Sequence, residues 1–184
     1  ERMVFTSLND GASWSSLRLN MPATSIRDLV VHDDDLVVGT HGRSFWILDN
    51  ISPLREMPIA TATHLFQPQP AYLVNWNANT DTPLPPEEPA GENPPDGAII
   101  DYVLEKNARS VSLDILDSTR TVLRTYKDSD VLTRVPEQDL TVMEGWQRPP
   151  QPLSAKAGGH RFIWDMRPNP PAATRRGLPM TSIW

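Results

Sequence analysis

The sequence predicts an all-β protein. Apolar runs of about five residues follow one another at close spacing, and Gly or Asp stands at each reversal. The run 110–115 has the cleanest period-two alternation, as a half-buried strand requires. Proline enrichment is local, because more than half of the 19 prolines lie between residues 52 and 97. Together these observations indicate two sets of short strands joined by a proline-rich connector.

The first part, residues 1–51, contains five predicted strands. Their spacing is typical of a sandwich, a barrel or a propeller. Trp46 falls in the middle of the fifth strand, where packing in the core is the favoured interpretation. The predicted strands are Met3–Ser7, Trp14–Leu19, Ile26–Val31, Leu36–Thr40 and Phe45–Asp49.

The first turn carries the most specific motif, Ser-Leu-Asn-Asp-Gly-Ala-Ser-Trp at residues 7–14. Asn9 and Asp10 can bond nearby backbone amides, and Gly11 can adopt the positive φ of a tight reversal. With Ser7 and Trp14 these residues resemble the Asp-box, the turn repeated around the β-propellers of sialidase-like and other BNR-repeat proteins. In those families the box lies at the blade periphery, so the resemblance implies architecture and not chemistry. The alternative is an ordinary hairpin turn ahead of a core tryptophan.

A propeller blade has four strands in about 40–45 residues. On that template the first two strands are the outer strands of one blade, and the other three are the inner strands of the next. No second Asp-box follows Asp49, so we expect the terminal blade region of a partial β-propeller. Because a ring needs roughly four to eight blades, and no signal peptide precedes the first strand, we expect a piece of a longer protein.

The connector, residues 52–97, favours polyproline II and turns in segments such as 83–89. The last part, residues 98–184, returns to strands, with Phe162, Trp164 and Met166 expected to face inward. These predicted strands are 98–104, 110–115, 122–126 and 160–166.

The segments 111–117, 122–124 and 157–165 resemble the FlgD-like, immunoglobulin-type β-sandwich. Thr119-Arg120 replaces a glycine usual in that family's first turn, and the closing Gly-x-Tyr strand is missing before Trp184. We therefore expect an immunoglobulin-like β-sandwich that is truncated or completed by something outside this chain.

The order of these parts resembles the C-terminal end of bacterial secreted proteins described as BNR-repeat glycosyl hydrolases or sortilin/VPS10-like propellers. The resemblance implies a secreted or periplasmic protein whose ligand is a carbohydrate. One alternative is a sortilin-like scaffold that binds peptides or proteins, and another is a sandwich that serves as a surface-attachment module. In each case we expect no catalysis from this segment alone.

Composition excludes several classes of function. The net charge of −6 and the pI near 5.1 do not favour nucleic acid. No apolar run approaches the ~18 residues of a membrane span. The absence of cysteine excludes disulfides and thiolate metal sites, and we expect neither a metal nor a cofactor. His32-Asp33-Asp34-Asp35 has residue types that metals accept, but a solvated turn is the default interpretation.

The strongest candidate ligand site is the turn at His41-Gly42-Arg43, which would project toward one mouth of the ring. Arg43 can bind a carboxylate or sugar hydroxyls, and His41 can exchange a proton near neutral pH. The alternative is that Gly42 shapes the turn while the flanking side chains bond the backbone of a neighbouring blade. For hydrolysis, the least arbitrary carboxyl pair is Asp28 and Asp49. The basic pair at 175–176 is too short for nucleic acid.

Overall fold

The structure, a computed structural model, describes residues 3–57, 62–73, 95, 97–131 and 151–169. In this part of the chain, short strands form small antiparallel sheets, and the helix is 5 residues long. The all-β prediction is therefore confirmed. None of the described helical segments has the length and apolar character to cross a lipid bilayer. In chain order the elements are β1 (Phe5–Thr6), β2 (Ser15–Ser16), β3 (Ile26–His32), β4 (Asp35–Thr40), β5 (Phe45–Leu48), α1 (Ser52–Glu56), β6 (His64–Leu65), β7 (Ala98–Leu104), β8 (Ser112–Leu116), β9 (Val122–Lys127) and β10 (Gly158–Trp164).

In the first half, a hairpin packs on one face of a three-stranded sheet. β1 pairs with β2, and β3, β4 and β5 form an antiparallel meander with β4 in the centre. Leu36 and Val38 alternate along β4, so they share the face that the hairpin covers with Val4 and the following loop with Met21. These four residues are buried and form the first hydrophobic core.

The opposite face of this sheet is uncovered. Val37 pairs with Val30 and Ile47, whose side chains are exposed. Gly39 pairs with Asp28 and with Phe45, which is 77% exposed. This large apolar surface is covered by no described residue.

The second half has its own core. β7 lies between β10 and β6, and the β8–β9 hairpin packs over this sheet. The Tyr126 and Phe162 rings meet at 4.7 Å between centroids. Tyr102 both donates to and accepts from the Ser154 backbone, at 3.0 and 2.7 Å. The buried residues of this second core are Ile100, Tyr102, Leu104, Ile115, Leu153 and Phe162.

Secondary structure also occurs where the sequence predicted only a connector. α1 has proline in its first turn, a position that costs no backbone hydrogen bond. β6 pairs with β7 through Leu65 and Tyr102, so this segment is part of the second sheet. The predicted proline-rich run 83–89 lies outside the described residues.

Several strand boundaries differ from those predicted. β2 contains 2 residues rather than the whole of 14–19. β10 ends at Trp164, and Met166 lies beyond it with a φ of 54°, so the prediction that Met166 faces inward from a strand is wrong. Such a φ breaks the extended conformation that strand alternation requires.

Candidate functional site

The turn between β4 and β5 is fixed by hydrogen bonds between its backbone and the Thr40 side chain. The Thr40 hydroxyl donates to the Ser44 carbonyl at 2.6 Å and accepts from the Arg43 amide at 3.1 Å. Gly42 and Ser44 both have positive φ, 79° and 60°. Gly42 therefore shapes the reversal, as the alternative interpretation of this turn expected.

Two further hydrogen bonds hold this turn in place. The indole N–H of Trp46 donates to the Arg43 carbonyl at 2.9 Å. The His41 amide donates to the Ser25 carbonyl, also at 2.9 Å. Trp46 packs against the first core, in agreement with its predicted place. The backbone of the turn is thus held from both sides.

The side chains of His41 and Arg43 take no part in this bonding. Both residues are exposed, and within the described ranges neither side chain has a hydrogen bond or an ion pair. The alternative, in which they bond the backbone of a neighbouring blade, stays a prediction. A fixed turn with two unengaged polar side chains can bind an external ligand without first breaking internal contacts.

The turn at residues 7–14, which resembles the Asp-box in sequence, is held together mainly by Asn9. The Asn9 side-chain oxygen accepts from the Ser13 amide at 2.8 Å and from the Ser7 hydroxyl at 3.1 Å. The Ser7 hydroxyl in turn accepts from the Gly11 amide at 2.8 Å. Asp10 contributes a φ of 53°, and its carboxylate has no hydrogen bond to a described residue.

Trp14 and its neighbours line an open groove of about 730 Å³. Trp14 itself is 63% exposed, so the alternative of a core tryptophan does not describe it. The groove separates β1 from the beginning of β3, and its lining is largely apolar: Met3, Val4, Phe5, Trp14, Ile26, Arg27, Asp28 and Leu29. Composition alone gave no sign of this groove, because it depends on how the hairpin sits on the sheet.

The nominated carboxyl pair is not brought together. Asp28 pairs with Gly39, which pairs with Phe45 on its other side. Asp28 therefore lies at the end of the sheet where the turn at His41 is. Asp49 follows Leu48, at the other end. Measured along the strands, Asp28 and Asp49 are four residues apart, which is about 13 Å. This exceeds the ~5–10 Å between carboxyl groups that glycoside hydrolysis needs.

The three carboxylates of the acidic turn at residues 33–35 each contact a different residue. Asp33 lies 3.5 Å from the His32 ring, and Asp34 pairs with Arg55. Asp35 accepts from the Asn50 amide at 2.9 Å. Among the described residues no three His, Cys, Asp or Glu side chains are grouped as metal ligands.

In the second half, polar side chains in and just after β10 are engaged internally. The His160 ring contacts the Lys156 carbonyl at 2.6 Å, whereas Asp165 pairs with Arg124 at 3.2 Å. Burial and the Asp165 carboxylate raise the pKa of Tyr126 to about 12. These contacts stabilise the second half of the chain. The basic pair at 175–176 lies outside the described residues.

Comparison of the chain with protein-family models, with curated proteins and with solved structures gives no match. The function of the turn must therefore be argued from its own geometry.

Proposed function

We propose that this chain is the C-terminal portion of a secreted BNR-repeat, glycosyl hydrolase-like protein, and that it binds carbohydrate without catalysing its hydrolysis. The observation that carries the proposal is the fixed turn at 40–44, which presents His41 and Arg43 with no described partner. A guanidinium donates in a fixed planar fork, and an imidazole can donate or accept, so both suit hydroxyl-rich ligands.

The architecture supports the propeller part of the proposal. The Asp-box hairpin covers one face of the β3–β5 sheet, while the other face exposes Phe45 and Ile47. Sheets stacked radially, as in a propeller, cover both faces of each blade. The uncovered face has the apolar character that packing against a further blade requires.

The proposal of a non-catalytic segment follows from the carboxylates. Asp28 and Asp49 stand too far apart to act as an acid and a nucleophile on one glycosidic bond. No other pair was favoured by the sequence. Ligand binding by Arg43 and His41 needs no such pair.

The test is carbohydrate binding by the full 184-residue chain, measured by calorimetry with cello-, malto- and chito-oligosaccharides and with oligogalacturonate. Arg43→Ala should weaken binding about tenfold, because a charge-assisted hydrogen bond is lost. His41→Ala should weaken it less. Arg109→Ala is the control, since Arg109 is exposed and has no hydrogen bond or ion pair within the described ranges.

Equal affinities for the Arg43 and Arg109 variants would contradict the proposed site. Turnover of aryl glycosides by the purified chain, abolished by Asp28→Asn, would contradict the non-catalytic part.

A second candidate function, a sortilin-like scaffold that binds peptides, is favoured by the groove beside Trp14. Its lining is largely apolar, and it runs along β1 and β3 as an extended peptide would. Apolar hexapeptides should quench or shift the fluorescence of Trp14, and Trp14→Phe should remove that signal. Binding of oligosaccharides but not of peptides would decide for the first function.

A further inference from the structure

Within the described part of the chain, β3 is an edge strand of its sheet. β3 pairs with β4 on one side, and no described strand lies on the other. Leu29, Val30 and Val31 are each about half exposed, at 46%, 50% and 52%. β3 contains no proline to block pairing. An open edge with such apolar residues is a template for an added strand.

We propose that a second copy of this chain occupies this edge. The two β3 strands pair antiparallel about a two-fold axis at Val30, which joins two three-stranded sheets into one six-stranded sheet. The inference is independent of carbohydrate binding, because it depends on the β3 edge and not on the turn at His41. It excludes a peptide in the groove along β1 and β3, because the partner's strand would end in the same groove.

The charges along β3 favour this register. With Val30 opposite the partner's Val30, Leu29 lies opposite the partner's Val31. Asp28 then lies opposite the partner's His32, and by symmetry each such contact occurs twice. The imidazole can donate a hydrogen bond to the carboxylate, and complementary polar pairs in direct cross-strand positions are stabilising. The β3 strand is therefore complementary to itself.

The ends of the strand extend this pattern. Arg27 lies at a bulge between Ile26 and Asp28, which ends regular pairing with β4. In the proposed dimer Arg27 is next to the partner's Asp33. In the single chain His32 and Asp33 contact each other at 3.5 Å, but their side chains are 78% and 90% exposed. An ion contact between such exposed side chains contributes little to stability, so His32 and Asp33 can leave each other and contact the partner chain instead.

Backbone geometry agrees with the same register. The Leu29 amide donates to the Asp28 carboxylate at 2.9 Å, which places this N–H on the side away from β4. Amides of alternate residues in a strand point to the same edge. Leu29 and Val31 therefore direct their amides outward, and in this register both bond the partner. The Leu29 amide exchanges its bond to the Asp28 carboxylate for one to the partner, which frees that carboxylate for the partner's His32. The groove beside residues 26–29 leaves room for the end of the partner's strand.

The test is analytical ultracentrifugation of the full chain at low salt. We expect a monomer–dimer equilibrium with a Kd of roughly 10–100 µM, in the range of small interfaces. Asp28→Lys should weaken dimerisation about tenfold, because the carboxylate acceptor of both Asp28–His32 pairs is lost. The double variant Asp28→Lys/His32→Glu places opposite charges at the same two positions and should recover most of the affinity. Circular dichroism confirms that each variant is folded.

Ile47→Lys is the matched control, because Ile47 lies on the exposed face in β5, two strands away from the edge. It should leave the dimer intact. Association that Ile47→Lys abolishes and Asp28→Lys does not would show stacking through the sheet face, and the proposal would fall. A monomer at all concentrations up to about 200 µM would also overturn it.

Discussion

Arg161 and Asp101 form a bidentate ion pair across β10 and β7. The Arg161 Nε and Nη2 atoms lie 2.8 and 3.0 Å from the two carboxylate oxygens of Asp101. The same guanidinium donates to the carbonyls of Asp49 and Asn50, at 2.9 and 3.2 Å. Asp101 is buried, and Asn50 adopts a φ of 56° that turns the chain after β5. One side chain therefore holds the second sheet against the end of the first.

Arg161→Ala should destabilise the protein by about 2–4 kcal/mol, because it leaves the buried Asp101 carboxylate without its cation. This loss of stability is smaller than the loss expected for a wholly buried ion pair, because the Arg161 side chain is 34% exposed. Urea unfolding measures the change. Arg109→Ala, at an exposed position, is the control and should have almost no effect. Equal unfolding midpoints for the two variants would contradict the role of Arg161.

Gly97 precedes β7 at a φ of 137°, with the Trp164 carbonyl oxygen only 2.2 Å from where a Cβ would stand. Gly97→Ala should therefore cost at least about 2 kcal/mol, from backbone strain and from displacement of β10. Gly159→Ala in β10 is the matched control, because its Cβ would meet nothing within 4 Å. Thermal unfolding should separate the two variants clearly. Similar melting temperatures for the two variants would show that β10 can shift away from residue 97 without loss of stability, which would contradict this prediction.

Asn9 bonds the Asp-box turn more extensively than Asp10 does. Asn9→Ala removes the acceptor of the Ser13 amide and should destabilise the hairpin by about 1 kcal/mol. Asp10→Asn keeps a residue that tolerates positive φ and should be nearly neutral. Amide exchange in the β1–β2 hairpin measures both effects. Faster exchange in the Asp10 variant than in the Asn9 variant would contradict this assignment.

Tyr126 should ionise late in an alkaline titration, with a pKa of about 12. Burial favours the neutral phenol, and the Asp165 carboxylate adds to the effect. Because the pKa is raised in the folded state, this stabilisation is present below the unfolded pKa of about 10 and is lost as the pH rises toward 12. Tyrosinate absorbance follows the ionisation, and Asp165→Asn should lower the pKa. Tyr126→Phe should remove this part of the alkaline loss of stability.

The sequence predicted elements whose signal is local. β7 and β8 alternate along their own lengths, and the turn at His41-Gly42-Arg43 carries its own glycine. β6 has 2 residues and owes its pairing to β7, which is remote in sequence, so no local pattern marks it. Pro53 suits the first turn of a helix and could have predicted α1. The many prolines that follow it favoured a connector instead.

The site was predictable to a similar extent. His41 and Arg43 were predicted from their turn, whereas the groove beside Trp14 needed the packing of one hairpin on a separate sheet. Asn9 was predicted only as one of two side chains that bond the turn. The ion pair of Arg161 with Asp101 joins residues 60 positions apart and has no sequence signature. Long-range contacts of this kind depend on how the sheets come together.

The two hydrophobic cores share no residue: Val4, Met21, Leu36 and Val38 form one, and the Ile100–Phe162 cluster forms the other. Parts of a molecule that share few buried apolar contacts can open as separate cooperative units. Here the halves are coupled mainly through polar contacts around Arg161. Calorimetry should therefore resolve two overlapping heat-absorption peaks, and a sugar bound at His41 and Arg43 should move only the peak of the first half.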